Sequence, residues 1–391
     1  MKMISSYEEK STDIHAVYLH IPFCKQKCLY CDFASQAGCS VAVMQAYAEA
    51  VVHEIYAGAG QFNSIAENAT IYFGGGTPSV MPLEFLQKIV TALKSCGFWK
   101  SPAEATIEIN PGTISKEGLR DLLTMGFDRV SFGVQSLDDV ELKNIGRIHN
   151  GTEALDAIAS AHEAGFKRIS ADLMYGLPGQ TVLSLAGNLS LMSKTSVEHI
   201  SVYGLTLEEG TPLAKLVERG ISKLPEEDVE NDMYDYVQKY LKESGFARYE
   251  ISNYAKSGGQ SLHNSVYWNY LPYLGFGASA CSFFGNRRRT GVPDTDRYIA
   301  AAWGKNFLYE EEKISADTAA SEYMFMGLRK CEGIDIEECF ERFGVDVRTK
   351  YAADIENFIE QGLLDFAGDG KILRLTEKGM SLGNTVFKLF V

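Results

Sequence analysis

Short apolar runs alternate with longer amphipathic runs six times between residues 17 and 244 of this 391-residue chain. The apolar runs predict strands at residues 17–21, 70–73, 105–109, 129–134, 168–174 and 199–204. The amphipathic runs predict helices at residues 41–57, 83–95, 116–125, 152–164, 183–193 and 226–244. Six strand–helix repeats in succession predict a parallel sheet whose faces are covered by helices.

Polar or glycine-rich residues follow every one of the six predicted strands. These stretches are residues 24–31, 74–78, 108–111, 135–136, 172–179 and 203–204. Turn chemistry explains any one of them, but it does not explain six at equivalent positions. Parallel α/β barrels build their active sites at the carboxyl ends of their strands. We therefore expect a partial (β/α)6 barrel with one site at that end, and an open doubly wound sheet remains the alternative.

Three cysteines follow the first predicted strand with the spacing Cys24-x3-Cys28-x2-Cys31. Three thiolates can bind three corners of a 4Fe–4S cluster and leave the fourth iron open, whereas an electron-transfer cluster uses four. A structural zinc site with Cys39 or His20 as fourth ligand is the main alternative. Small apolar residues on a helical face are a weaker one, because the residues between the thiols are polar.

Further candidate ligand-binding residues lie at the ends of the later strands. The glycines at 74–76 let a ligand approach the backbone, because they carry no Cβ atom. Glu108 and Asp172 can accept hydrogen bonds from hydroxyl or ammonium groups. Gln135 and Arg147 can pair with a carboxylate, and the guanidinium can do so through two hydrogen bonds. A side chain of this kind is about as often a surface group or a group that fixes a loop as it is a ligand-binding group.

His263 stands in a segment of unusual composition. Asn264, Tyr267 and Trp268 follow it, and together they offer an aromatic surface suited to a flat macrocycle. Imidazole is a common axial ligand of haem iron, although a single loop histidine more often serves packing or hydrogen bonding. The arginines at 287–289 could meet porphyrin propionates, but a solvated loop is the preferred explanation.

Charge and hydropathy exclude several classes of protein. The net charge of −14 argues against a nucleic-acid partner, which requires a basic surface. No apolar stretch reaches the roughly 18 residues of a transmembrane segment. The first residues are polar and do not resemble a secretory leader, and the eight cysteines suit a reducing compartment, so we expect a cytoplasmic protein.

The end of the chain predicts a small module of helix, short strand, turn and strand, which is the outline of a winged helix. Residues 340–391 hold seven Lys and Arg against eight Asp and Glu, so DNA binding is not expected. We divide the chain into a barrel at 14–245, an extension at 246–305 and a mostly helical, winged-helix-like domain at 306–391.

Residues 18–33 resemble the cluster loop of the radical SAM superfamily. Within it they are most similar to the group of oxygen-independent coproporphyrinogen III oxidases and HemW-like haem chaperones. The segments 74–78, 108–111, 133–136, 172–178, 249–254 and 362–379 match the same group in order. The resemblance covers nearly the whole chain and implies the radical SAM partial barrel with its C-terminal domain.

By this resemblance, Cys24, Cys28 and Cys31 bind a 4Fe–4S cluster whose open iron takes the amino and carboxylate groups of S-adenosylmethionine. The residues expected to line the S-adenosylmethionine pocket are Tyr18, Tyr30, Gly75, Gly76, Thr77, Glu108, Gln135, Arg147 and Asp172. Gly204 and Cys281 match further family positions near the ligand.

Three features favour the chaperone subgroup over the oxidase. The oxidases carry a further cysteine where this chain has Phe33, and they have a long segment before the first strand where this chain has about 16 residues. The pattern His263-Asn264-x-x-Tyr267-Trp268 is similar to a motif associated with haem binding in the chaperones. Residues 279–282 are closer to the oxidase pattern, which leaves the details of a haem site open.

The resemblance therefore implies a protein that binds a cluster, S-adenosylmethionine and haem, the last through or near His263, and that delivers haem to acceptor haemoproteins. The alternative is an enzyme that oxidatively decarboxylates two propionates of coproporphyrinogen III to give protoporphyrinogen IX. A zinc-stapled binding protein is a third possibility.

Overall fold

The computed structural model describes residues 13–59, 64–304, 307 and 309–390. Strands and helices alternate in its first part as predicted. The strands are β1 (Asp13–Ile21), β2 (Ser64–Gly75), β3 (Glu104–Ile109), β4 (Arg129–Gln135), β5 (Arg168–Tyr175) and β6 (His199–Gly204). The helices are α1 (Val41–Gly58), α2 (Leu83–Ser95), α3 (Lys116–Met125), α4 (Asp139–Asn144), α5 (Gly151–Ala164), α6 (Val182–Met192), α7 (Pro212–Glu218) and α8 (Glu227–Glu243).

The chain then adds strands to both ends of this sheet. The added elements are β7 (Ala247–Arg248), β8 (Asn253–Ala255), α9 (Leu262–Trp268), β9 (Tyr273–Phe276), β10 (Cys281–Phe284), β11 (Arg287–Gly291), α10 (Thr295–Trp303) and β12 (Tyr309–Lys313). The strand order is β12-β11-β10-β9-β1-β2-β3-β4-β5-β6-β8-β7. β9 and β1 to β6 pair in parallel, and the outer strands pair antiparallel. The sheet of the described residues does not close, which confirms the predicted partial barrel.

Two local predictions in this region were wrong. His263 lies in helix α9, not in a loop. The arginines at 287–289 lie in strand β11, where they pair with the acidic strand β12 and make ion pairs with Glu311 and Glu312. The basic run of one strand lies beside the acidic run of the other, and ion pairs between the two strands stabilise this pairing.

The interior of the partial barrel is polar at its amino end. Glu104, the first residue of β3, is buried and forms ion pairs with Arg129 and Arg168, which begin β4 and β5. The same carboxylate accepts hydrogen bonds from the backbone N–H groups of Leu262 and His263. It therefore binds the first turn of α9, where backbone donors have no intrahelical partner, and fixes that helix across the end of the barrel.

The last part of the chain has a second apolar core, to which Tyr270 and Phe283 of the extension contribute, and a three-stranded sheet. The predicted pair of strands joined by a turn is present, and a third short strand pairs beside it. Its elements are α11 (Ala316–Gly327), β13 (Ile334–Asp335), α12 (Ile336–Phe343), α13 (Val347–Lys350), α14 (Ala352–Glu360), β14 (Leu364–Ala367), β15 (Ile372–Leu375), α15 (Glu377–Ser381) and α16 (Gly383–Phe387). The division at 245/246 stays a prediction, and the one at 305/306 lies outside the described residues. No helix in the described ranges is long and apolar enough to cross a membrane.

Candidate functional site

A pocket at the carboxyl ends of the barrel strands collects nearly all the predicted site residues. Its lining includes Cys24, Cys28, Tyr30, Cys31, Phe33, Gly75, Gly76, Thr77, Glu108, Asn110, Gln135, Arg147 and Asp172. Tyr18 is the one predicted pocket residue outside this lining. Its hydroxyl lies 3.1 Å from Nδ1 of His20, and its ring stacks on Tyr72 beneath the pocket. Gly204 and Cys281 also lie outside the lining.

The three cysteines of the loop after β1 are free thiols that face this pocket. The Thr77 hydroxyl is 3.5 Å from Sγ of Cys24, and a guanidinium nitrogen of Arg147 is 3.3 Å from Sγ of Cys28. Two of the three sulfur atoms that could bind iron therefore have a hydrogen-bond donor beside them.

Both candidates for the fourth ligand of a zinc site have other partners. Both ring nitrogens of His20 are engaged, one with Tyr18 and one with the Ala34 carbonyl, and Sγ of Cys39 lies 3.6 Å from Gln36. In the ranges the structure covers, no three His, Cys, Asp or Glu side chains surround a common point for one ion. Cluster thiolates bind different irons, so they do not share that requirement.

The glycine loop after β2 packs against the cysteine loop so closely that side chains are excluded. Gly75 has φ 111°, and a Cβ atom there would lie 2.5 Å from the ring of His20. A Cβ atom on Gly76 would lie 2.8 Å from the Phe23 carbonyl oxygen. The backbone N–H of Thr77 donates to the same carbonyl at 2.8 Å. The loop is thus a backbone-lined cradle beside the cysteines.

Arg147 carries an unsatisfied donor in this pocket. Its terminal nitrogens donate to Cys28, to Oδ1 of Asn110 and to the carbonyl of Gly133. Its buried Nε atom has no partner among the residues described. A buried donor without an acceptor is unfavourable, so the geometry suits a ligand that brings a carboxylate, as the amino-acid end of S-adenosylmethionine would.

Two carboxyl groups face the pocket from β3 and β5. The Tyr72 hydroxyl donates to Oε1 of Glu108 at 2.8 Å, and the Gly75 N–H donates to Oε2 at 3.1 Å. Burial raises the pKa of Glu108 to about 7, and burial raises the pKa of Asp172 to about 6. Groups that titrate near neutrality gain charge when a cation enters, so the pair suits a ligand with ammonium or hydroxyl groups.

Gln135 reaches the pocket through an irregularity at the end of β4. The pairing of β4 with β5 shifts register between Gly133 and Gln135, and Gln135 adopts φ 67°. Positive φ is unfavourable for a residue with a side chain, and such residues concentrate at functional sites. Asn110 joins the glycine loop to Arg147, because it donates a hydrogen bond to Thr77 and accepts one from Arg147. The sequence placed Asn110 at a strand end but assigned it no ligand-binding role.

His263 is closed off in the structure. Its side chain is only 1% exposed, its Nδ1 lies 2.8 Å from Oγ1 of Thr70, and its Nε2 lies 2.9 Å from the Tyr267 hydroxyl. Burial lowers the pKa of His263 to about 3, so the ring is neutral. In this arrangement neither nitrogen is available to iron, and a ligand role would require the bond to Tyr267 to break.

A second cavity, of about 580 Å³, adjoins the other residues of the same motif. Its lining is Tyr203, Asn253, Asn264, Tyr267, Trp268, Tyr270, Leu271, Tyr273, Phe283, Arg288, Glu322, Phe325, Met326 and Arg329. Oδ1 of the buried Asn253 has no partner among the residues described. Arg288 and Arg329 are ion-paired with Glu322 and with the buried Glu250. Only the aromatic motif signalled this cavity in advance, because its other residues are far apart in the sequence.

Comparisons with known proteins agree with these features. The family model of the radical SAM superfamily matches residues 18–187, and the model of the HemN C-terminal domain matches residues 314–382. The chain is 34% identical to "Heme chaperone HemW" of Lactococcus lactis subsp. lactis, over 96% of this chain and 97% of that one. It is 35% identical to the protein of the same name from Bacillus subtilis, over 96% and 99%.

A solved structure shares the fold of the chain. This is coproporphyrinogen III oxidase (HemN) from Escherichia coli, described as a radical SAM enzyme. It superposes with a TM-score of 0.84 at 20% sequence identity, and the match covers 98% of this chain and 92% of the oxidase. The overall arrangement of barrel and C-terminal domain is therefore common to both.

Proposed function

This chain belongs to the HemW family of the radical SAM superfamily, and we propose that it binds a 4Fe–4S cluster, S-adenosylmethionine and haem and delivers haem to acceptor haemoproteins. The observation that carries the first part is the meeting of three free thiols with the unsatisfied Nε of Arg147 in one pocket. We further propose a cytoplasmic location, because the cluster thiols have to stay reduced.

Each group in the pocket has a defined task under this proposal. Cys24, Cys28 and Cys31 would hold the cluster, and Arg147 would bind the carboxylate of S-adenosylmethionine. The glycine cradle, Gln135 and the two carboxyl groups would receive the remaining polar groups of that ligand, with Tyr30 and Thr77 beside the cluster. When bound, the cluster and S-adenosylmethionine supply one-electron reduction chemistry.

The aromatic cavity is the proposed haem site. Its volume of about 580 Å³ falls within the range of roughly 300–1,000 Å³ that is usual for small-molecule pockets. Tyr267 and Trp268 offer flat aromatic walls, and Arg288 and Arg329 of the lining would meet the propionates. Haem would then bind beside His263, whose ring supports the wall through Tyr267.

An anaerobic assay of the reconstituted, reduced protein tests the function. The protein is supplied with S-adenosylmethionine and coproporphyrinogen III, protoporphyrinogen and 5′-deoxyadenosine are followed together, and haem is titrated in parallel. Stoichiometric haem binding without decarboxylation supports the chaperone. Turnover to protoporphyrinogen would establish the oxidase instead, despite Phe33 in the place of a cysteine.

Iron and acid-labile sulfide analysis tests the cluster separately. Alanine at Cys24, Cys28 or Cys31 is expected to abolish the cluster, because each thiolate binds one iron. Cys96→Ala is the matched control, since Cys96 is a free thiol beyond the end of α2 and outside the pocket. Full iron loading in any of the three variants would refute the assignment.

A further inference from the structure

Glu141 of helix α4 is a buried carboxylate that the site described above does not use. Glu141 is only 3% exposed. It accepts hydrogen bonds from Oγ of Ser136 (2.6 Å), Nε2 of Gln180 (3.0 Å), Oγ of Ser184 (2.6 Å) and Nδ2 of Asn188 (3.2 Å). No ion pair within the described ranges includes Glu141.

Two of these donors, Ser136 and Gln180, come from loops that follow neighbouring strands, and the other two lie on helix α6. Ser136 directly follows Gln135, the residue with positive φ at the end of β4. Gln180 belongs to the loop after β5, where its Nε2 also donates to the Met174 carbonyl and its Oε1 accepts from the Leu177 N–H. The carboxylate therefore ties the loop after β4 to the loop after β5.

Helix α4 also connects Glu141 to Arg147. Glu141 lies on this short helix, and the Arg147 N–H donates to the carbonyl of Leu142, the next residue on that helix, at 2.9 Å. Asn144 of the same helix donates to the Pro178 carbonyl in the loop after β5. Gln135 and Arg147 are both proposed to bind S-adenosylmethionine. They thus flank a helix that the Glu141 carboxylate holds in place.

We infer that Glu141 is a positioning residue for S-adenosylmethionine, which holds Gln135 and Arg147 at the spacing that the ligand requires. Hydrogen bonds from neutral donors to a carboxylate are short and strong, so this cluster is a stiff link. A strained residue such as Gln135 keeps its conformation only when its surroundings impose it. The inference rests on the proposed binding of S-adenosylmethionine.

The test measures S-adenosylmethionine affinity in cluster-loaded protein by equilibrium dialysis and by the change in the EPR spectrum of the reduced cluster. Glu141→Ala removes the link. Glu141→Gln keeps the shape of the side chain and one acceptor oxygen, which can take the place of Oε2, where three of the four donors meet. Glu54→Ala is the matched control, because Glu54 is equally buried and accepts from Gly277, Tyr298 and Tyr309 outside the pocket.

The expected result is a dissociation constant about tenfold higher or more in Glu141→Ala, with Glu141→Gln closer to the native protein and Glu54→Ala within about twofold of it. Iron content and haem titration are expected to stay unchanged in all three. Native-like affinity in folded Glu141→Ala overturns the inference. If that variant does not fold, native-like affinity in Gln180→Ala overturns it instead. Absence of binding to the native protein would instead refute the proposed function itself.

Discussion

The imidazole of His263 stacks on the phenol ring of Tyr72, with the ring centroids 4.8 Å apart and the planes inclined by 27°. The Tyr72 hydroxyl donates a hydrogen bond to Glu108, and Glu108 also accepts one from the backbone N–H of Gly75 in the first pocket. On its other side His263 meets Tyr267, which lines the aromatic cavity. An unbroken series of packed and hydrogen-bonded side chains therefore joins the proposed S-adenosylmethionine pocket to the proposed haem cavity.

Replacing Glu108 with Gln is expected to change how stability depends on pH. Because burial raises the pKa of Glu108 from its ordinary 4.5 to about 7, the folded chain holds this proton more tightly than the unfolded chain. The stability that results is complete below about pH 4.5 and is lost as the pH rises through about 7. The free energy of unfolding of the native chain minus that of Glu108→Gln should therefore fall between about pH 5 and about pH 8. Urea unfolding of cluster-free protein measures this difference, and a constant or rising value would contradict the prediction.

Replacing His263 with Ala is expected to lower stability without moving the Soret band of bound haem. The variant loses a buried ring and leaves Thr70 and Tyr267 without their partner, which should cost about 2–4 kcal/mol. Tyr267→Phe, the smaller change, should cost about 1–3 kcal/mol because it leaves Nε2 of His263 unpaired. A shifted Soret band in His263→Ala at unchanged stability would instead identify His263 as the iron ligand.

Gly76→Ala is expected to distort the cysteine loop. The added methyl group would meet the backbone of Pro22 and Phe23 at 2.9 and 2.8 Å, and backbone atoms cannot move aside cheaply. We expect a loss of about 1–3 kcal/mol in the free energy of unfolding together with reduced iron content. Gly187→Ala in α6 is the control, since nothing lies within 4 Å of its Cβ position. It should stabilise the chain by about 0.5–1 kcal/mol, and equal effects of the two variants would argue against the cradle.

Glu104→Gln is expected to be far more damaging than the same change in a surface ion pair. Although burial opposes the charge of Glu104, two guanidinium groups hold its pKa below the usual value. In the variant the buried Arg129 would lose its counter-ion, and Arg168 would keep only Asp128. Breaking such a pair costs about 3–5 kcal/mol. Glu163→Gln removes the exposed pair with Lys116 and should leave stability almost unchanged, because solvent screens the pair. Urea unfolding compares them, and similar losses would show that Glu104 contributes no more than a surface charge.

The strands and helices of the barrel could be predicted because their signals are local. An apolar run bounded by glycine indicates a buried strand, and an amphipathic run of helical period indicates a helix with one buried face. Both patterns can be recognised without knowledge of the rest of the chain. The meeting of Cys24, Glu108, Gln135 and Asp172 in one pocket followed from topology alone, because parallel strands bring their carboxyl ends together.

The environment of single residues could not be predicted in this way. His263 was expected in a loop, but it lies in helix α9. Glu104, 159 residues away in the sequence, accepts a hydrogen bond from its backbone N–H. The arginines at 287–289 acquired their partners only when β12 paired beside them. Neither contact has a local sequence signal.

The amino-acid sequence by itself thus determined the fold class and the set of polar residues at the strand ends, because periodicity and spacing are properties of neighbours along the chain. The family followed from the resemblance of its motifs to those of known proteins. Only the tertiary structure decided that the His263 ring is buried with both nitrogens hydrogen-bonded, that Asn253 and Arg329 line one cavity, and that Glu141 connects two loops. Whether a polar side chain is a free ligand or an internal hydrogen-bond partner depends on which groups surround it, and those groups come from distant parts of the sequence.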